Sequence, residues 1–105
     1  MPDITAAYNW VIRQCNAPNV GYSQAYRQGQ IVNGIKYYDC SSLMSEGLTV
    51  GNFFHTNPWF TTASEPDYLI GAGFTQHPAS VEWNAGDIVW RRGHTEMVYQ
   101  NRITM

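Results

Sequence analysis

Near the amino terminus the apolar positions recur at a four-three-four spacing: Ile4, Tyr8, Val11 and Cys15. One side of a helix carries such a stripe, and Asp3 stands where a side-chain cap belongs. The pattern therefore predicts a helix from Ile4 that stops near Asn16 to Pro18, with Cys15 in the core. Gly21 to Gly34 is polar, rich in Gln and Gly, and carries Tyr22, Tyr26 and Arg27. It reads as a loop, long for a mere connection. Leu43, Met44 and Leu48 fall together on a second helix, Cys40 to Leu48, capped by Asp39 and ended early by Gly47 and Gly51. The aromatic, proline-containing run from Asn52 to Thr62 reads as irregular. Ser64-Glu65-Pro66-Asp67 opens a third helix over Tyr68, Leu69 and Ile70, closed by Gly71 and Gly73.

The period then changes. Asn84-Ala85-Gly86-Asp87 is a turn, Ile88-Val89-Trp90 is β-prone, and Arg91-Arg92-Gly93 turns the chain into a second strand, His94 to Gln100. Helices first and an antiparallel hairpin last predict an α+β domain with its helices on one face of a sheet. A chain of 105 residues, 44% hydrophobic, closes one core, so residues 1–105 are read as a single domain.

Charge and composition remove several function classes. Six basic residues against eight acidic leave a formal charge of -2, and Arg91-Arg92 is the largest basic cluster, so no nucleic-acid partner is expected. The amino terminus has neither a basic leader nor a long apolar run, and no segment approaches the roughly 20 apolar residues of a membrane span. The expectation is a soluble chain made in a cytoplasm without a signal peptide or membrane insertion. The two cysteines form neither a disulfide framework nor a zinc-like pair, and His55, His77 and His94 lie 22 and 17 residues apart. No metal and no cofactor are expected.

The candidate chemistry lies in Tyr38-Asp39-Cys40-Ser41-Ser42. A thiol attacks as its anion, and the first turn of a helix favours an anion through unpaired N–H groups and the macrodipole. Cys40 is placed there. It needs a base, and His94, opening a strand directly after a tight turn, is the best placed of the histidines. By composition alone Cys40 reads more often as a small buried hydrophobe, and Asp39 as a helix cap and nothing more. His55 and His77 sit in loops beside prolines and read as solvated.

Four ordered blocks shift that balance: Gly21-Tyr22-Ser23, Tyr38-Asp39-Cys40-Ser41-Ser42, Gly86-Asp87-Ile88-Val89-Trp90 and Gly93-His94-Thr95-Glu96-Met97-Val98. Together they resemble the NlpC-type cell-wall cysteine hydrolases, and among these the bacteriophage peptidoglycan amidases, the endolysins. The resemblance implies a papain-like fold in which a helix bearing the nucleophile packs on a small antiparallel sheet bearing the histidine. It makes Cys40 the nucleophile and His94 the general base, with Tyr22, Asp39 and Ser41 shaping the cleft and its turn for substrate. The family orients its histidine with a third polar residue about a dozen positions later, whereas this chain ends at Met105. Glu96 and Gln100, on the same strand face as His94, are the substitutes, with Asn101 beyond them. The finding of two strands where a papain-like sheet needs more leaves a second reading open. In it the 105 residues are the N-terminal part of a longer domain, with a wall-binding domain or chain elsewhere.

The implied activity is hydrolysis of an amide in bacterial peptidoglycan, foremost the bond between N-acetylmuramic acid and L-Ala. Cleavage within the stem peptide, and a non-catalytic wall-binding relic lacking the third residue, stand as alternatives. The chain would be made in the host cytoplasm and act on the cell wall.

Overall fold

The computed structural model of the chain describes residues 1–78, 83–100 and 103–104, with Gln100, Ile103 and Thr104 described by their backbone alone. The elements run α1 (Ile4–Asn16), β1 (Val20–Tyr22), β2 (Gln30–Val32), β3 (Ile35–Tyr38), α2 (Cys40–Val50), α3 (Glu65–Gly71), β4 (Ile88–Arg91), β5 (His94–Gln100) and β6 (Ile103–Thr104).

Helix α1 begins where its cap predicts: the Asp3 carboxylate accepts the Ala6 N–H at 3.1 Å. Its buried side, however, is centred on Ala7 and Val11, both 0% exposed, while Ile4 is 37% exposed and Cys15 is exposed. The expectation that Cys15 is core is therefore corrected. The reason is the closeness of α2. A Cβ on Gly51 would stand 2.6 Å from the Asp3 carbonyl oxygen, and one on Gly47 would stand 2.8 Å from Val11 Cγ2. Small residues thus set the contact line between the helices, and a stripe drawn through the large ones misses it by part of a turn. Gly47 accordingly does not end α2, which runs on to Val50 with Gly51 as its cap.

The predicted loop from Gly21 to Gly34 instead contains the end of β1 and all of β2, two of the three strands of a first sheet. Asn33 and Gly34, at φ 52° and 80°, make the two-residue turn between β2 and β3, with Val32 opposite Ile35. Two successive positive φ values are what a type I′ hairpin requires, and Asn-Gly is its sequence signature. Strand β1 pairs in parallel with the other edge of β3, giving the order β1-β3-β2. Helices first and strands last is thus not the order of the chain. The second sheet has the order β4-β5-β6. Its predicted hairpin turns at Arg92-Gly93, with Arg91 opposite His94 and Gly93 at φ 84°. The described residues therefore hold six strands, not the two legible in the sequence.

The arrangement is a compact α+β domain, with a radius of gyration of 13.1 Å. Helix α2 lies at its centre, packed against α1 on one side and β5 on the other. Met44 and Leu48 meet Ala7, Val11, Phe60 and Met97 in one buried cluster, each large member contributing roughly 2 kcal/mol by leaving water. Among the described residues no helix is long and apolar enough to cross a membrane.

Candidate active site

The start of α2 is held by a capping box. Asp39 Oδ1 accepts the Ser42 N–H at 2.9 Å, and the Ser42 hydroxyl accepts the Asp39 N–H at 2.9 Å. Both donors would otherwise be unpaired in a buried place, since Asp39 is 5% and Ser42 2% exposed. Asp39 is anchored again at Oδ2 by Arg27 Nη1, 3.5 Å away, while the Gln28 N–H donates to the Ser42 hydroxyl. The connection between β1 and β2 thus lies over the helix start. Cys40 follows as the first helical residue, half-buried, its direction set by a box that leaves the turn little freedom.

Strand β5 meets the other side. Its first residue, His94, and the residue two further on, Glu96, leave the same strand face, and His94 Nε2 lies 2.6 Å from Glu96 Oε1. An ionised carboxylate only accepts hydrogen bonds, so Nε2 carries a proton, and in the neutral ring Nδ1 is then the acceptor. Glu96 is therefore the member of the proposed pair of orienting residues that reaches His94. The side chain of Gln100 and all of Asn101 lie outside the described residues.

Cys40, His94, Glu96, Asp39 and Tyr22 all line one cleft of about 380 Å³, open to solvent between α1, α2 and the two sheets. Tyr22, opposite Tyr38 at the end of β1, is 63% exposed and forms part of its rim. Ser41 does not line the cleft. It is 3% exposed with its hydroxyl 3.5 Å from Asp39 Oδ2, behind the turn that it helps to shape. Cys15, unexpected here, lies on the cleft wall, and partial burial raises its thiol above the ordinary cysteine value. Sequence reasoning missed it because the stripe of α1 was drawn through it.

The cleft can support nucleophilic chemistry. A neutral imidazole with a free Nδ1 can take a thiol proton, and a carboxylate behind it stabilises the imidazolium that results. The Cys40 and Ser41 N–H groups lie in the first turn of α2, where no preceding helical carbonyl can receive them, as an oxyanion would require. The hydrogen bond His94 makes is to Glu96 and not to Cys40, so proton transfer needs the ring and thiol to close up around a substrate. Neither His55 nor His77 lines this cleft. A larger cavity of about 580 Å³ between α3 and β4 has His77 in its wall but no thiol. Among the described residues no group of three His, Cys, Asp or Glu side chains is gathered as a metal would need.

The chain matches no model of a known protein family, no curated protein and no solved structure.

Proposed function

We propose that the protein is a cysteine-dependent amidohydrolase of bacterial cell walls, built on a papain-like plan and acting as an N-acetylmuramoyl-L-alanine amidase. One observation carries this reading: Cys40 at the head of α2 and the His94–Glu96 pair on β5 line a single cleft. The four sequence blocks that resemble the phage wall amidases supply the substrate class.

In this reading His94 Nδ1 takes the proton of the Cys40 thiol as sulfur attacks the amide carbonyl carbon. The first-turn N–H groups hold the oxyanion. The C–N bond then breaks, His94 returns its proton to the departing amine, and the acyl group remains on Cys40 as a thioester. Water, deprotonated by the same imidazole, hydrolyses the thioester and restores the thiol. Glu96 keeps the ring in the required tautomer throughout, a task for which the sequence had no certain candidate. Its contact with His94 favours catalysis over the wall-binding relic.

Digestion of purified Gram-positive peptidoglycan tests the assignment. New amino-terminal L-Ala identifies the amidase, whereas any other new amino terminus identifies a stem-peptide endopeptidase. Sedimentation with walls and no new amino terminus at all would leave only a binding module.

A further inference from the structure

Glu65 is a carboxylic acid with 0% of its surface exposed, in the first turn of α3. Its Oε2 accepts a hydrogen bond of 2.7 Å from the Thr95 hydroxyl, and its Oε1 has no hydrogen-bond partner among the described residues. Thr95 is itself 2% exposed and lies between His94 and Glu96. Burying a carboxyl on one hydrogen bond is costly, and desolvation pushes it up to about 7 against the opposing effect of Thr95. Leucine would fill the same space more cheaply, so the helix and core do not by themselves account for an acid here.

Strand geometry supplies an account. Successive side chains leave opposite faces of β5, so the bond that pulls Thr95 inward also turns His94 and Glu96 outward, into the cleft. A slip or rotation of this strand start would carry both away together. Apolar packing alone tolerates such a rotation, whereas a directional bond in a dry setting resists it. We propose that Glu65 is a positioning residue: through the Thr95 hydroxyl it fixes the rotation of β5 that holds His94 against Glu96 and facing Cys40. The inference rests on the reading of Cys40 and His94 as a catalytic pair.

The test compares Glu65→Gln, Glu65→Leu and Thr95→Val in the full chain by nitrogen NMR of the His94 ring and by peptidoglycan hydrolysis. Wild type and Glu65→Gln, which retains an acceptor for Thr95, should hold a single Nε2–H tautomer. Folded Glu65→Leu and Thr95→Val should show a mixture, with kcat at least tenfold lower and KM within about twofold. The double variant should be no worse than either single one. A folded Thr95→Val with the wild-type tautomer and kcat would overturn the proposal. Should Glu65→Leu fail to fold, Thr95→Val, nearly isosteric, decides alone. If wild type cuts no wall amide, the hydrolase reading falls, and the tautomer still decides the positioning role.

Discussion

His94 and Glu96 are joined within one strand, Nε2 to Oε1 at 2.6 Å, both facing the cleft that Cys40 opens onto. A carboxylate two residues from its imidazole needs no distant element to orient it; the pleat of β5 alone brings them to one face. Glu96→Gln preserves size but removes the charge that, in the proposed mechanism, would stabilise the imidazolium. It should lower kcat on peptidoglycan by roughly 10²-fold or more with little change in KM. Steady-state kinetics on soluble wall fragments measures this, and an unchanged kcat would remove Glu96 from the mechanism.

Glu65 should make stability depend on pH. Its folded value, about 7, is raised from the ordinary 4.5 by burial, so the folded state is spared the cost of a buried charge below the unfolded value and loses stability as pH rises through the folded one. Between pH 4.5 and 7 this amounts to about 3 kcal/mol. Glu65 faces Thr95 and the core, while His94 and Glu96 leave the other strand face. Denaturant unfolding at pH 5 and pH 8 should show the loss in wild type and most of it gone in Glu65→Gln; equal slopes in both would contradict the assignment.

The contact of α1 with α2 should not admit a methyl group. Gly51→Ala places a carbon 2.6 Å from the Asp3 carbonyl oxygen, a backbone atom already accepting the first bond of α1. Overpacking there should cost about 1–3 kcal/mol, read as a lower midpoint in urea with the slope unchanged. A neutral or stabilising result would mean the helices are farther apart than described.

The two thiols should differ in reactivity although both line the cleft. Partial desolvation on the cleft wall raises the Cys15 thiol, reducing its thiolate, whereas Cys40 has a first-turn position and a histidine across the cleft. Iodoacetamide at limiting dose near pH 6 should label Cys40 first, as peptide mapping by mass would show; faster labelling of Cys15 would leave Cys40 a structural residue.

The elements carrying the site were legible because each is announced locally. Asp39 before Cys40 is a cap, and Arg92-Gly93 between apolar runs is a hairpin turn. The first sheet was not, since strands of three or four residues offer too little alternation to be recognised by period. Asn33-Gly34 was the signal that could have revealed it. Cys15 was misplaced because glycine and alanine, invisible to a hydrophobic stripe, decide how close two helices come. Glu65 was read only as part of a helix start, because no local pattern tells an exposed first-turn acid from one that tertiary packing has closed over.

The central claim, that Cys40 is the nucleophile for a wall amide, is tested most directly by Cys40→Ala on purified peptidoglycan. The account predicts that wild type releases new amino-terminal L-Ala, and that the variant releases none while unfolding at the same denaturant concentration. Release of L-Ala at the wild-type rate by a folded Cys40→Ala protein would contradict it.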